Sequence, residues 1–237
     1  MEQVAELLVN NGVSLIRGGA FKPRKSPFSF QGMGKKGLEI LGYIRQKYQL
    51  RVITEIIDPR DLEMISQYAD ILQIGSRNMD NYALLKEVGR STIPVILKRG
   101  YMSTFEEFSY AAQYIFMEGN QNVILCERGI RTFENATRNT LDLSSVALLK
   151  KESNINVIVD ISHSLGRTDI MLPISKAVAA VGADGIMVEV HPTPSKALSD
   201  NMQQLDFEQF NCYLTEMRQY ISNMKSTIKQ QKVTALF

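Results

Sequence analysis

Short apolar runs alternate along this chain with longer segments that carry apolar residues at helical spacing. The apolar runs predict seven strands, at 13–17, 51–56, 71–75, 94–98, 122–126, 156–160 and 185–190. The other segments predict helices at 2–10, 35–48, 61–68, 80–89, 104–118, 144–152, 169–181 and 207–227. Strands that are apolar at nearly every position are buried on both faces, and such strands are parallel. The alternation therefore predicts an α/β fold.

The number of runs bears on which α/β fold this is. A (β/α)8 TIM barrel needs eight strands, and the pattern shows seven, with the chain beginning on a helix. We expect a barrel of this kind with its first strand missing from this chain. No linker or shift in composition marks a second domain, so we expect one catalytic barrel domain over residues 1–237 and no appended regulatory domain.

Basic residues recur where the apolar runs end. The cations that follow the first, third, fourth and fifth runs are Arg17, Lys22, Arg24, Arg77, Lys98, Arg99, Arg128, Arg131 and Arg138. One such residue alone is usually a solvated surface charge. Surface charges have no reason to follow strand ends, however, and ligands of parallel α/β folds bind at the carboxyl ends of the strands. The recurrence predicts a site for phosphate and carboxylate groups.

The last two apolar runs end in a different set of side chains. Asp160 and His163 follow the sixth run, Glu189 and His191 follow the seventh, and Asp200 comes shortly afterwards. One imidazole and two carboxylates, from His163, Glu189 and Asp200, suit a divalent ion such as Mn²⁺, Fe²⁺ or Zn²⁺. A lone histidine is more often structural than a ligand, so the chemistry by itself leaves both interpretations open.

Composition narrows the classes of partner. The chain has 237 residues and a net charge of +2, which is too small to indicate binding to nucleic acid or to an acidic membrane surface. No apolar stretch approaches the roughly 20 residues that span a bilayer. The acidic, helical N-terminus does not resemble a signal peptide, and the two cysteines, Cys126 and Cys212, are far apart. We therefore expect a cytoplasmic protein.

Two long polar segments interrupt the alternation, at 18–34 and 127–143, and their aromatic residues and arginines favour a functional role. Residues 32–37 match G-x-G-x-x-G, but no strand precedes them as a dinucleotide-binding fingerprint requires. These glycines predict the start of a helix instead.

Read together, several strings resemble the type I beta class of 3-deoxy-D-arabino-heptulosonate 7-phosphate (DAHP) synthase. They are Arg-Gly-Gly-Ala-Phe-Lys-Pro-Arg (17–24), Ser-Pro-Phe-Ser-Phe-Gln-Gly (26–32), Gln-Ile-Gly-Ser-Arg-Asn (73–78), Leu-Lys-Arg-Gly (97–100), Ile-Leu-Cys-Glu-Arg-Gly-Ile-Arg-Thr-Phe-Glu (124–134), Thr-Arg-Asn-Thr-Leu-Asp (137–142), Asp-Ile-Ser-His (160–163), Glu-Val-His-Pro (189–192) and Ala-Leu-Ser-Asp (197–200). The resemblance runs from about residue 2 to residue 225. It implies condensation of phosphoenolpyruvate with erythrose 4-phosphate, the entry step of the shikimate pathway.

The resemblance also implies roles for individual residues. The phosphoenolpyruvate contacts would be Arg17, Lys22, Arg77, Lys98 and Arg128, with Glu127 counted among the substrate-binding residues. The aldose phosphate would contact Lys22, Pro23 and Arg24, with Ser76 and Arg77 near its phosphate. His163, Glu189 and Asp200 would be metal ligands, Lys22 the proton carrier, and Lys22 and His163 the catalytic pair. The family implies a homo-oligomer.

The sequence departs from the family pattern at three places. Lys25 replaces the usual Thr, and Ile161 replaces the usual Pro before the histidine. The family's first strand ends in Gly-Pro-Cys, whose cysteine is a fourth metal ligand, and the chain starts downstream of that position. Cys126 belongs to a different family motif and is not that ligand. Whether a chain without that cysteine is active stays open.

Two alternatives remain. One is the related 3-deoxy-octulosonate 8-phosphate synthase, which uses arabinose 5-phosphate, although that family typically has Lys-Ala-Asn where this chain has Lys-Pro-Arg at 22–24. The other is a non-catalytic paralogue that keeps the phosphate sites and binds metabolites or a partner.

Overall fold

The computed structural model describes residues 1–24 and 26–234, with side chains described as far as residue 224. The strands are β1 (Leu15–Arg17), β2 (Arg51–Glu55), β3 (Ile71–Ile74), β4 (Val95–Lys98), β5 (Val123–Glu127), β6 (Asn156–Asp160) and β7 (Gly185–Met187). The helices are α1 (Glu2–Asn10), α2 (Lys35–Tyr48), α3 (Leu62–Ser66), α4 (Tyr82–Gly89), α5 (Phe105–Met117), α6 (Leu143–Glu152), α7 (Ile161–Leu165), α8 (Met171–Ala180) and α9 (Phe207–Thr234). The unusual residue Lys25 lies outside the described part of the chain.

The seven strands form one parallel sheet in sequence order, β1 to β7. A helix follows most strands and returns the chain to the start of the next, so neighbours in sequence are neighbours in the sheet. A doubly wound sheet would reverse its strand order at a switch point. The unbroken order is that of a (β/α) barrel, as predicted.

Successive residues of each strand face opposite sides of the sheet, which divides the apolar core in two. Val95 and Leu97 of β4 pack outward into the large cluster between sheet and helices. Ile96 packs inward, in a small cluster with Ile53 and Cys126 that fills the interior of the curled sheet. The inner cluster occupies the middle of the strands, and polar residues follow it toward their carboxyl ends.

The two edge strands of the sheet approach each other at those carboxyl ends. Arg17, the last residue of β1, donates a hydrogen bond to Glu189, which follows β7, at 2.6 Å. The helical layer closes in the same way, because Asn11 beside α1 donates to Asn211 of α9 at 2.9 Å. Within the described residues, β1 and β7 form no hydrogen-bonded pair with each other. The result is a seven-stranded curled sheet with the TIM-barrel arrangement.

Besides short 3-10 turns, the structure adds one α-helix in the described residues that the apolar pattern did not predict. The segment after β6 forms the short helix α7, whose amino end is capped by the Asp160 side chain accepting from the His163 amide at 3.0 Å. The polar segment 127–143 is ordered by a bridge between Ile130 and Thr140. As predicted, Gly34 is the residue at which α2 begins, with a positive φ of 55°. Across the described helices, none is long and apolar enough to cross a membrane.

Candidate functional site

A cavity of about 330 Å³ opens at the carboxyl ends of the strands. Its lining is strongly basic and comprises Arg17, Lys22, Pro23, Arg24, Ser26, Ser29, Glu55, Gln73, Gly75, Ser76, Arg77, Lys98, Tyr101, Arg128, Arg138, His163 and Asp200. Ligands of parallel barrels bind at this end.

Strand geometry decides which charged residues reach the cavity. Lys98 has the same orientation as the inward Ile96, two residues earlier, and its side chain is nearly inaccessible at the cavity floor. Arg99, the next residue, points outward with Leu97 and does not line the cavity. Asp160 also faces inward, and its carboxylate forms a short ion pair with Lys98.

The predicted site residues were brought together with two exceptions. All of them line the cavity except Glu127 and Glu189. Glu189 contacts cavity residues directly, through Arg17 at 2.6 Å and through His163, whose Nε2 is 3.6 Å from Glu189 Oε1. Glu127 is different: it is fully buried on the outer side of the sheet, where it pairs with Arg99 at 2.9 Å. The structure therefore gives Glu127 a place in the packing behind the site, because it faces away from the cavity with Leu125.

His163, Glu189 and Asp200 form the group that could hold a metal ion. One potential ligand atom from each lies within 4.8 Å of the others. Asp160 fixes the imidazole by contacting Nδ1 at 2.8 Å, which leaves Nε2 directed toward Glu189. A carboxylate on one ring nitrogen is the usual support for a metal-binding histidine. The donor set of one imidazole and two carboxylates thus fits a divalent cation.

The other candidate ligands do not join this group. The ring of His191 accepts a hydrogen bond from the Thr193 amide at 3.0 Å, within its own loop. Cys126 lies in the inner apolar cluster, and burial raises the pKa of its thiol to about 12. Because a thiol must lose its proton to bind a metal, Cys126 is unsuited to that role, as the sequence indicated.

The carboxylates of the metal group are held by Gln203, which the sequence analysis did not single out, and by Arg138, which it counted only among the cations at the strand ends. Gln203 is 2% exposed and donates from Nε2 to Glu189 Oε2 at 2.6 Å. Arg138 donates to the Gln203 carbonyl oxygen at 2.6 Å and to Asp200 Oδ1 at 2.9 Å. Gln203 and Arg138 thereby tie the two carboxylates to each other. Gln203 follows its partner by fourteen residues, and no local pattern in the sequence indicates the contact.

Lys22 contacts Asp200, one of the three possible metal ligands. Asp200 has a φ of 56°, a left-handed conformation that aspartate tolerates better than most residues. Lys22 Nζ donates to Ser199 Oγ at 2.6 Å and lies 3.4 Å from Asp200 Oδ2. Burial raises the pKa of Asp200, but the hydrogen bond from Arg138 and the charge of Lys22 outweigh it and hold the pKa well below its usual range.

A tight turn carries Lys22 to this position. The Lys22 amide donates to the Gln31 carbonyl at 2.8 Å, which closes the loop between β1 and α2. Gly32 has a φ of 99°, and a Cβ atom there would lie 2.2 Å from the Ala20 carbonyl oxygen. Only glycine fits this approach, so the predicted functional segment has a fixed shape at its base.

Electrostatics in the site follow from burial and from close partners. Burial raises the pKa of Asp160, but His163 and Lys98 outweigh it, so that this pKa lies well below 3.8. Burial lowers the pKa of His163 below 6.5 despite the neighbouring Asp160. Burial also raises the pKa of Glu55, which lies on the cavity wall beside Gln73 at 3.2 Å. Sequence reasoning missed Glu55, although it follows the inward Ile53 by two residues.

Two arginines of the lining have no acidic partner. No carboxylate in the described part of the chain lies within 4.0 Å of the guanidinium of Arg77 or of Arg128. Arg128 is 1% exposed and donates only to the backbone carbonyls of Gly129 and His163, at 3.1 and 3.2 Å. Arg77 is exposed and Arg128 is buried, and guanidinium groups without a carboxylate partner in a cavity are suited to bind an external anion.

Comparison with known proteins gives the same picture at the level of the whole chain. A family model described as the DAHP synthetase I family matches residues 1–223. A phospho-2-dehydro-3-deoxyheptonate aldolase of Thermotoga maritima is 55% identical over 216 residues, covering 91% of this chain and 64% of that protein. A 2-dehydro-3-deoxyphosphooctonate aldolase of Syntrophotalea carbinolica is 30% identical over 229 residues, covering 91% of this chain and 82% of that protein.

Solved structures from Thermotoga maritima are similar as well. The crystal structure of phospho-2-dehydro-3-deoxyheptonate aldolase (DAHP synthase) superposes with a TM-score of 0.90 at 52% identity, over 94% of this chain and 64% of that one. A truncated form of the synthase superposes with a TM-score of 0.87 at 51% identity, over 94% of this chain and 81% of that one. The chain thus spans 64% of the length of the Thermotoga protein.

Proposed function

Because the chain belongs to the DAHP synthetase I family, we propose that it condenses phosphoenolpyruvate with erythrose 4-phosphate to give DAHP and inorganic phosphate, the first step of the shikimate pathway. One observation carries the proposal: cations without acidic partners share a cavity at the strand ends with His163 and Asp200, and Glu189 lies beside these two residues as the third possible metal ligand. Two anionic substrates and one divalent ion account for both halves of that lining.

Phosphoenolpyruvate binds, in this proposal, at the inner part of the cavity. Arg17, Lys98 and Arg128 supply positive charge there, and the latter two are 4% and 1% exposed. Hydrogen bonds to charged groups are stronger than neutral ones, and a water-excluded setting strengthens them further. The phosphate and the carboxylate of phosphoenolpyruvate supply the anionic partner that Arg128 lacks among the described residues.

The aldose phosphate binds along the outer wall, on Lys22, Pro23 and Arg24 from the β1–α2 loop and on Ser76 and Arg77 after β3. These residues line the same cavity as the inner cations, so both substrates are held within reach of each other. Holding two reactants in one geometry removes much of the entropic barrier of a bimolecular reaction.

A divalent cation, such as Mn²⁺, Fe²⁺ or Zn²⁺, would be held by His163, Glu189 and Asp200. When bound, it polarises the aldehyde of erythrose 4-phosphate. The chain's own residues do the rest of the positioning. Asp160 keeps His163 Nε2 toward the site, and Gln203 and Arg138 orient the two carboxylates.

The condensation balances as follows. Carbon 3 of phosphoenolpyruvate forms a bond to the aldehyde carbon with the electron pair of its double bond, and the aldehyde oxygen takes a proton. A water molecule adds at the electron-deficient carbon 2 and loses a proton. The bond from carbon 2 to the phosphate oxygen then breaks, so that a ketone forms and inorganic phosphate leaves. Lys22 is the proposed proton carrier for the aldehyde oxygen, because its Nζ lies between Ser199 and Asp200 at the edge of the metal group. Arg17, Lys98 and Arg128 hold the carboxylate and the phosphate of phosphoenolpyruvate and stabilise the negative charge on the departing phosphate.

We place this activity in one barrel domain of a cytoplasmic homo-oligomer. The competing octulosonate activity is less well supported, because the relative with that name is 30% identical and the DAHP relative is 55% identical. The segment Lys22-Pro23-Arg24 also follows the DAHP pattern. Light scattering of the purified protein tests the oligomeric expectation.

The decisive experiment supplies chelator-treated protein with Mn²⁺, phosphoenolpyruvate and either erythrose 4-phosphate or arabinose 5-phosphate, and follows phosphate release. We expect metal-dependent release with erythrose 4-phosphate and much slower release with arabinose 5-phosphate. His163→Ala should lose both Mn²⁺ binding and turnover, whereas His191→Ala, the chain's other histidine, should keep them. Preference for the pentose would show an octulosonate synthase, and no release with either aldose would show a non-catalytic paralogue.

A further inference from the structure

Three guanidinium groups surround one aromatic ring at the mouth of the cavity. The Cζ atoms of Arg128, Arg131 and Arg77 lie 4.5, 4.9 and 5.3 Å from the centroid of the Tyr101 ring. They come from two places in the chain: Arg77 follows β3, and Arg128 and Arg131 lie in the polar segment that follows β5. None of the three has an acidic partner among the residues whose side chains are described.

Tyr101 is itself held firmly in the loop after β4. Its carbonyl accepts a hydrogen bond from the Arg131 amide at 2.7 Å. The chain packs closely at Gly100, just before it, where a Cβ atom would lie 2.1 Å from Ser103 Oγ. The ring is half-buried and lines the cavity. Its position is therefore set by the backbone of two loops.

Three like charges so close to one point repel one another and would separate in an open loop region. The negative face of an aromatic ring attracts cations within about 6 Å of its centroid. A carboxylate in the same place would also hold the arginines, but it would neutralise them and compete with an incoming anion. A neutral ring gathers the charges and leaves them available.

We propose that Tyr101 is a positioning residue that gathers Arg77, Arg128 and Arg131 into one cluster for a substrate phosphate group. The proposal rests on the proposed function, and it adds Tyr101 and Arg131 to the phosphate-binding residues. Arg131 is exposed and lies outside the cavity lining, so the ring connects it to the two arginines inside.

Calorimetric titration of the full-length protein with inorganic phosphate at low ionic strength tests this role. Tyr101→Leu should bind phosphate roughly tenfold more weakly, since each cation–ring contact contributes on the order of 1 kcal/mol. Tyr101→Phe keeps the ring and should restore the affinity. Tyr114→Leu is the matched control, because it also removes a cation–ring contact, with Lys86 at 5.8 Å, but on the outer helix α5. Equal phosphate affinity in Tyr101→Leu and the parent would overturn the proposal.

A double-mutant cycle keeps the proposal testable if Tyr101→Leu is poorly folded. Arg131→Gln changes an exposed side chain and should weaken phosphate binding severalfold in the parent, but much less in Tyr101→Met, because the ring mediates its effect. Additive losses would contradict the proposal. In turnover, Tyr101→Leu should raise the KM for phosphoenolpyruvate with little change in kcat.

Phosphate binding separates this inference from the proposed function. If the parent binds phosphate in the expected pattern but releases none from phosphoenolpyruvate, the role of Tyr101 stands and the condensation proposal fails. If the parent condenses both substrates and Tyr101→Leu binds phosphate normally, only the role of Tyr101 fails.

Discussion

Two arginines follow neighbouring strands of the barrel, and both are almost fully buried, Arg99 at 3% and Arg128 at 1% exposure. Arg99 donates to Glu127, Asp142 and Ser145, each at 2.9 Å. Arg128 reaches only backbone carbonyls and the face of Tyr101. The first arginine is satisfied within the fold, and the second is not.

The difference shows in the protonation equilibria of the two groups. Burial lowers the pKa of Arg99, but its hydrogen bonds to Glu127 and Asp142 outweigh that effect and raise the pKa above its usual value. Burial also lowers the pKa of Arg128, where nothing outweighs it. A buried charge is costly unless it is paired. The fold therefore bears a cost at Arg128 that it does not bear at Arg99, and under the proposed function a bound anion would relieve that cost.

The largest effect on stability is expected from substituting Arg99, the arginine that has acidic partners. Arg99→Met leaves the fully buried Glu127 without its cation and should reduce the free energy of unfolding by about 3–5 kcal/mol. Urea denaturation measures the loss. Adding Glu127→Gln in the same chain removes the orphaned charge and should recover part of the stability. An unchanged midpoint in Arg99→Met would mean that the buried pair is not structural.

Substituting Arg128, which has no acidic partner among the described residues, should have the opposite effect on stability. Arg128→Met removes a buried, unpaired charge, so stability without ligand should stay equal or rise, while the affinity for phosphoenolpyruvate falls by about 1.5–3 kcal/mol. Denaturation and calorimetry on the same preparation measure both quantities. A loss of stability as large as that of Arg99→Met would remove the distinction between the two arginines.

The metal group combines both situations, because its carboxylates are supported within the fold but remain open to a ligand. Gln203→Leu removes the donor to Glu189 and the acceptor for Arg138. Mn²⁺ affinity should fall about 10- to 100-fold, as for other residues that orient metal ligands. Gln67→Leu, at an exposed position just after α3, is the control. Unchanged Mn²⁺ affinity in Gln203→Leu would show that Glu189 needs no such support.

The smallest effect on stability is expected at the exposed ion pair between Lys150 and Asp184. Partial burial raises the pKa of Asp184, but hydrogen bonds from Lys150 and from the Val157 amide outweigh it and bring the pKa below 3.8. A lowered folded-state pKa means that the contribution is present above the unfolded-state pKa and is lost as the pH falls through the folded-state pKa. Asp184→Asn should cost less than about 1 kcal/mol at neutral pH. That difference should shrink in acid denaturation series below about pH 4, and a constant difference down to pH 2 would contradict the assignment.

Much of this molecule was accessible from the sequence. The β-branched apolar runs are strong local signals, and the seven predicted strands match the seven described strands within a few residues. Most of the cations at the ends of those runs line the basic cavity, and His163, Glu189 and Asp200, which the sequence offered as metal ligands, lie close together. Helix α7 was missed, because its five residues are too few to show a helical period.

What the sequence left open has one physical origin. Parallel strands buried on both faces are apolar at every position. Their sequences therefore show no alternation of apolar and polar residues that would separate inward-facing from outward-facing positions. Lys98 and Arg99 are equivalent in the sequence, yet one lies in the cavity and the other supports Glu127 behind it. Because of the same ambiguity, the sequence analysis included Glu127 among the substrate contacts and omitted Glu55.

The partnerships around the site are also decided in three dimensions. Tyr101, in the loop after β4, meets arginines from the two loops after β3 and β5, and Gln203 joins Glu189 to Arg138. No local spacing encodes these contacts. The sequence by itself determined the strands, the helices and the kinds of side chain at the strand ends, because these depend on neighbours along the chain. Only the curled sheet decided which of those side chains converge on the cavity and which are paired behind it, because that choice depends on the side of the sheet each residue faces.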